Sequence, residues 1–185
     1  PQYQPITIQA SGKSELKNFS KLEILNQPIF FYGDAFFSGF YLNELLLRLC
    51  PLEVEMPETF TQYHVTLQHL QNLATHENKD LFLRQILRQF EHALLEELGY
   101  PLDYEHDSQQ QQIITTQRYQ FQLSEGFTPI AHTSSASLTG QQILSMADYE
   151  KGRDFSLEQL QLLAKLFRQM ITSLLGDRPL KSRQL

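Results

Sequence analysis

Three groups of basic residues are the part of this sequence that could do chemistry. The first lies in a short alternating segment, where Lys13, Lys17 and Lys21 accompany Phe19. Ammonium groups attract phosphates and an aromatic ring stacks on bases, so this combination predicts sequence-tolerant binding of single-stranded nucleic acid. The alternative is an ordinary solvated strand whose phenylalanine belongs to a core.

The second group is a pair of arginines in an apolar segment. Arg84 and Arg88 are one helical turn apart, and we expect them to border a groove lined by Leu81 and Leu87. A guanidinium can grip a carboxylate with two parallel hydrogen bonds, so the groove predicts a site for an acidic peptide ending in a bulky apolar residue. The alternative is a helix salt bridge from Arg88 to Glu91.

The third group is the basic end of the chain, with Arg178, Lys181 and Arg183 after Gly176. Residues 1–150 hold 8 Lys and Arg against 18 Asp and Glu, whereas residues 151–185 hold 7 against 3. A basic end can attract a polyanion although the net charge is −6, because the field extends only about 8 Å in physiological salt. Phosphate contact and a solvated tail are both open at this point.

Catalytic and cofactor motifs are absent from the sequence. There is no GxxxxGK[ST] or GxGxxG loop, no HExxH, and no pair of the six histidines at the i,i+4 spacing of a helical metal site. Cys50, before a proline at the apolar end of a helix, reads as a core residue. These features predict a binding protein without cofactor or metal. A hydrolase would need an acid/base pair clustered in a pocket, and none is evident.

Composition indicates a folded globular chain. Of the 185 residues, 41% are hydrophobic and 19% charged, which excludes collagen-like, disordered and disulfide-scaffold classes. The most apolar stretch, residues 28–50, is interrupted by charged and amide side chains, so we expect no membrane span. A single cysteine and no signal peptide at the start predict the reducing cytoplasm.

The elements that must position the basic groups follow from periodicity and end signals. Alternation predicts a β-hairpin at the start of the chain and a small hairpin near 113–130, separated by amphipathic helices and by a loose polar loop over 101–112. The expected fold class is mainly α with small β elements. The helices are predicted over 34–50, 57–76, 80–98, 141–146 and 156–174.

Four ordered motifs carry a resemblance to a known family. They are the segments SGFYLNEL from Ser38, LRQFEHALLEELGY from Leu87, Gly126-Phe127 with Leu138-Thr139-Gly140, and LGDRPLKSR from Leu175. Together they resemble the bacterial RecO family of recombination and repair proteins. The first hairpin resembles the last strands of that family's OB-fold, so the resemblance implies OB-fold strands over 1–27, a helical domain over 28–185 and further strands before Pro1.

The resemblance implies a DNA repair mediator that is not an enzyme. It implies binding to single- and double-stranded DNA, strand annealing, and recombinase loading on strands coated by single-stranded DNA-binding protein, at the nucleoid in the cytoplasm. RecR and the acidic tail of single-stranded DNA-binding protein are the implied partners, the tail at Arg88. Some members carry a four-cysteine zinc module; Asp107 stands where its first cysteine is expected, so we expect no zinc. A helical adaptor without direct DNA binding is the alternative.

Overall fold

The computed structural model describes residues 2–13, 16–132, 134, 136–147 and 155–183, the side chain of Arg183 excepted. Within these residues the chain is mainly helical, with one two-stranded and one three-stranded antiparallel sheet. The predicted fold class is therefore confirmed. No helix of the described ranges is both long and apolar enough to cross a membrane.

Five α-helices form the body of the described part of the molecule. Short 3-10 turns follow α2 at Leu73–Thr75 and end the described chain at Lys181–Arg183. The helices are α1 Asp34–Leu49, α2 Pro57–Gln71, α3 Lys79–Glu97, α4 Gly140–Met146 and α5 Leu157–Leu175. Their apolar stripes meet in one core, in which Leu42, Phe90 and Phe167 are fully buried.

Helix ends follow local chemistry. Ser156 and Gln159 form a reciprocal capping box at the start of α5, and Gly176 ends this helix with a φ of 60°. At α3 the sequence predicts Asp80 as the cap, but the cap is Asn78, two residues earlier, whose side chain accepts the Leu81 N–H at 3.2 Å. Asparagine caps as well as aspartate does and comes first along the chain.

The three-stranded sheet has the order β4-β3-β5. Its strands are β3 Arg118–Gln122, β4 Gly126–Ile130 and β5 Leu138–Thr139. The hairpin predicted near 113–130 is β3 and β4, whereas the two-residue β5 is too short to leave a periodic signal. Gly140 follows β5 where backbones touch: a Cβ at this position would lie 2.0 Å from the Ile114 carbonyl oxygen.

The first hairpin consists of β1 Ile6–Ser11 and β2 Asn18–Ile24, with every residue of both strands exposed. A bulge between Gln9 and Ala10 pairs Ala10 with Phe19. Opposed residues share a face, and Ala10 is two residues from Ile8, so the pairing places Phe19 on the face of Ile8. Simple alternation predicts Phe19 beside Lys21 instead, and the bulge is the reason for the difference.

The loop predicted to be loose is an ordered structure held by two aspartates. Asp103 accepts the backbone N–H groups of Glu105 and His106 at 2.8 and 2.9 Å. Asp107, which is buried, accepts those of Gln109 and Gln111 at 2.8 and 3.0 Å. Aspartate side chains satisfy turns of backbone in this way, so polar composition alone overstated the looseness.

Candidate functional site

A cleft forms where α1, α3 and α5 meet the C-terminal segment, by which we mean residues 176–183. We call it the three-helix cleft; its volume is about 260 Å³. Its walls combine apolar side chains, two guanidinium groups and one buried carboxylate. The lining residues are Phe37, Ser38 and Tyr41 from α1, Leu87, Arg88 and Glu91 from α3, Ala164 and Arg168 from α5, and Ser182.

An ion pair lies in the wall of the cleft. Nη2 of Arg88 donates to Oε1 of Glu91 at 2.6 Å, and the Tyr41 hydroxyl donates to the same oxygen at 2.5 Å. The side chains of Arg88 and Glu91 are only 13% and 3% exposed. The helix salt bridge considered from the sequence is therefore present. Nε of Arg88 is buried and has no hydrogen-bond acceptor within the described residues, so this guanidinium retains an unused donor.

Arg168 supplies a second guanidinium to the cleft from α5. It is exposed, unlike Arg88. Sequence reasoning did not select Arg168, although it follows the buried Phe167 directly and stands one turn after Ala164. Only the packing of α5 beside α3 brings the two arginines to one cleft, and periodicity within α5 carries no information about that packing.

The predicted groove is only partly assembled. Leu87 and Arg88 line the three-helix cleft, whereas Leu81 lines a separate cavity with His76 and Phe82. Arg84 is exposed and lines neither cavity. The cleft is lined by the turn of α3 from Leu87 to Glu91. Leu81 and Arg84 are about one to two turns earlier on α3 and therefore lie outside the cleft.

The C-terminal segment is fastened to α1 by two side chains. Oε1 and Oε2 of Glu44 accept the backbone N–H groups of Lys181 and Ser182, both at 2.8 Å. Arg48 donates to the carbonyl oxygens of Pro179, at 2.8 Å, and of Arg178. Leu180 between them is buried. This fastening places Ser182 in the wall of the cleft.

Glu44→Gln is expected to weaken this fastening. Burial alone would raise the pKa of Glu44, but hydrogen bonds from Ser182 and Lys181 and the charge of Arg48 lower it below its ordinary value. Its contribution is therefore present at neutral pH and lost as the pH falls below about 4.5. We expect the variant to lose about 1.5 kcal/mol of unfolding free energy at pH 7 and to lose less on acidification.

Denaturant titrations at pH 7 and pH 4 measure both effects, and trypsin cleavage after Lys181 reports release of the segment. Glu96→Gln is the matched control, since Glu96 is an exposed carboxylate on α3. Cleavage at equal rates in both variants would contradict the assigned role of Glu44.

The three tail cations belong to this segment. Arg178 and Lys181 are exposed, as a phosphate contact requires. The side chain of Arg183 lies outside the described residues. Two of the three cations proposed for phosphate contact are therefore on the surface.

Two of the three hairpin lysines already have acidic neighbours. Lys17 pairs with Glu53 at 2.9 Å and Lys21 with Glu23 at 2.6 Å, while Lys13 is exposed. Exposed pairs of this kind contribute about 0–1 kcal/mol, so phosphates can replace the carboxylates. Phe19 is 60% exposed, but it lies on the apolar face of Ile8 rather than on the face of Lys21, so the structure does not bring the ring and this lysine together.

The loop after α3 contains a histidine and an aspartate in contact. Nδ1 of His106 lies 3.1 Å from Oδ2 of Asp103. Burial alone would raise the pKa of Asp103, but hydrogen bonds from the backbone N–H groups of His106 and Glu105 and the contact with the His106 side chain lower this pKa. Asp103 and Asp107 both accept hydrogen bonds from backbone N–H groups. Across the described ranges, no cluster of three or more His, Cys, Asp or Glu side chains could hold a metal ion.

Three of the four sequence motifs meet at the three-helix cleft. Tyr41 and Glu44 belong to the first motif, Arg88 and Glu91 to the second, and Ser182 to the last. The hydrogen bonds described above join the first motif to each of the others. Segments far apart along the chain thus build one site.

The chain is similar to proteins of one known family. A family model described as Recombination protein O C terminal matches residues 33–184. The chain is 36% identical over 184 residues to the DNA repair protein RecO of Pseudomonas putida strain W619, covering 99% of this chain and 76% of that protein. It is 38% identical over 184 residues to the RecO of Pseudomonas aeruginosa strain LESB58, covering 99% and 74%.

Proposed function

This chain belongs to the RecO family of DNA repair proteins, and we propose that it acts as a recombination mediator through two surfaces. The three-helix cleft binds the acidic C-terminal tail of single-stranded DNA-binding protein. The first hairpin and the basic C-terminal segment bind and anneal single- and double-stranded DNA. Because the protein holds the tail and the DNA at the same time, it loads recombinase on strands coated by single-stranded DNA-binding protein, with RecR as partner. The protein works in the cytoplasm at the nucleoid and is not an enzyme.

The unused donor of Arg88 is the observation that carries the tail site. A buried N–H without an acceptor is unfavourable, and a carboxylate that displaced the side chains covering it would satisfy it. Arg168 adds a second positive charge, while Phe37 and Leu87 offer apolar surface for an aromatic side chain. An anion beside a bulky apolar group is the chemistry of an acidic tail that ends in phenylalanine.

A peptide titration tests this site. An acidic peptide with a terminal Phe carboxylate should bind the protein, and Arg168→Ala should weaken binding by about 1.5–3 kcal/mol. Arg88→Lys should retain part of the affinity, because lysine offers a point charge instead of a planar fork.

Arg84→Ala is the matched control, since Arg84 lies on the same helix outside the cleft. The same peptide with a C-terminal amide should bind weakly. Equal affinity of the original protein and the Arg168→Ala and Arg88→Lys variants would refute the site, provided that circular dichroism shows all of them folded.

The DNA surface begins with the hairpin. In this proposal residues 1–27 are the closing strands of an OB-fold and residues 28–185 form the helical domain. Exposed apolar side chains on one face of the hairpin support a larger sheet, because two isolated strands are marginal in water. Ile6, Ile8, Leu22 and Ile24 form that face.

Neutralising the hairpin lysines should reduce the salt dependence of DNA binding. Each phosphate contact contributes about 0.7 to the log–log slope on single strands, so Lys13→Gln/Lys17→Gln/Lys21→Gln should lower the slope by up to about 2. Fluorescence anisotropy at several salt concentrations measures it. Lys79→Gln at the start of α3 controls for loss of a surface lysine. An unchanged slope would favour the helical adaptor, which the acidity of residues 1–150 also favours.

A further inference from the structure

A second groove lies at the C-terminal end of α1, between the last turn of that helix and the first turns of α2. We call it the α1–α2 groove; its volume is about 510 Å³. Its lining is mostly apolar, and Phe60 stands 71% exposed at its edge. The apolar lining consists of Leu46, Cys50, Met56, Pro57, Phe60 and Tyr63.

Further exposed apolar residues flank the groove-lining residues along the chain. Leu47 precedes it in the last turn of α1, and Leu52 and Val54 lie in the connection to α2; all three are exposed. An exposed aromatic ring at the edge of an apolar depression is typical of protein–protein contact surfaces.

The rim of the groove is acidic. Glu55 lines the groove, and Glu53 and Glu58 are exposed within three residues of it along the chain. The chain itself shows what such a rim attracts, because the Lys17 ammonium group lies 2.9 Å from Glu53. A docking partner is therefore expected to carry positive charge.

The groove is held open by a contact between helices. Both carboxylate oxygens of Glu97, on α3, accept backbone N–H groups at the start of α2: that of Glu58 at 3.2 Å and that of Thr59 at 2.7 Å. At the far end, the Tyr63 hydroxyl donates to Asn43 at 2.6 Å. A wall fixed at both ends loses little freedom when a partner binds.

We propose that the α1–α2 groove docks a basic amphipathic helix of a partner protein. The apolar face of that helix would cover Phe60 and the floor of the groove, and its lysines or arginines would meet the glutamates of the rim. A second copy of this chain is the alternative occupant, and the alkylation experiment below distinguishes it. The acidic tail assigned to the three-helix cleft is excluded, because its carboxylates would meet the glutamates of the rim.

A synthetic helix of leucine and lysine, about 18 residues long, is a suitable probe. Its labelled form should bind the protein, and a leucine–glutamate peptide of the same pattern should not. Phe60→Ala should weaken binding about tenfold. Phe30→Ala is the matched control, since Phe30 is 68% exposed and lines a different cavity.

Charge specificity is tested with two variants that each lose three negative charges, at different places on the surface. Neutralising the rim should weaken binding several-fold and reduce its salt dependence, whereas neutralising three exposed glutamates elsewhere should not. The rim variant is Glu53→Gln/Glu55→Gln/Glu58→Gln, and the control is Glu77→Gln/Glu125→Gln/Glu158→Gln. Equal losses in both would reduce the effect to general attraction and overturn the proposal.

Cys50 provides an independent measurement, because it is the one cysteine of the sequence and lines the groove. Bound lysine peptide should slow its alkylation by a maleimide. The proposal is overturned if the peptide leaves the alkylation rate unchanged, or if Phe60→Ala and Phe30→Ala bind alike. Protection that rises with protein concentration in the absence of peptide would identify a second copy as the occupant and would equally overturn it.

Discussion

The free energy of unfolding is expected to fall by about 3 kcal/mol when Arg88 is replaced by alanine. The side chain of Glu91 is 3% exposed. Without Arg88 its buried carboxylate loses the ion pair and keeps the hydrogen bond from the Tyr41 hydroxyl. A buried charge deprived of its partner is much more costly than a broken surface ion pair. Equilibrium denaturation at neutral pH measures the loss.

Two further variants make this expectation specific. Arg84→Ala removes the same side chain one turn earlier on α3, where it is exposed, and should change stability by less than about 0.5 kcal/mol. Arg88→Ala/Glu91→Gln removes the charge that would be stranded and should recover part of the loss. Similar stabilities for the two alanine variants would contradict the structural role of the pair. Peptide-binding data on Arg88→Ala must therefore be corrected for its unfolded fraction.

Gly140→Ala is expected to destabilise the protein by about 3 kcal/mol or more. The added Cβ would lie 2.0 Å from the Ile114 carbonyl oxygen and 2.6 Å from its carbon. Relief requires one backbone segment to move, and Gly140 also donates its N–H to Gln117 at 2.9 Å. The pairing of β5 with β3 should loosen as a result, which amide hydrogen exchange in β3 would detect.

Gly39→Ala is the informative comparison. There the added Cβ would meet the hydroxyl oxygen and Cζ of Tyr3 at 2.6 and 2.9 Å, so a side chain rather than a backbone segment has to move. We expect a loss of about 1 kcal/mol, clearly smaller than at Gly140. If the two variants were equally stable, backbone crowding at Gly140 would not be the reason for glycine at that position.

Local chemistry made the helices predictable from the sequence. In α5 the capping residues Ser156 and Gln159, the apolar stripe and Gly176 agree on the same boundaries. In the stretch predicted over 57–76, the same apolar period continues through a 3-10 turn, so the end of α2 at Gln71 left no signal. Periodicity determines which face is buried, and it is less informative about where one type of helix gives way to another.

The candidate sites depended on information that local patterns do not contain. Glu44 and Ser182 are 138 positions apart, and Arg168 joins Arg88 only because α5 packs near α3. The bulge in the first hairpin moves Phe19 to the other face, although nothing in the alternation marks it. The Arg88 to Glu91 pair was predictable as an alternative because i,i+3 residues are neighbours on any helix.

The fastening of the C-terminal segment also sets an order of events during synthesis. Chains emerge from the ribosome with the N-terminal part first, so α1 and α3 are available long before residue 182. Until then Glu44 and Arg48 lack their backbone partners, and the cleft lacks its fourth wall. A nascent or prematurely terminated chain would therefore present an incomplete cleft, and only a chain translated through Ser182 would have the complete one.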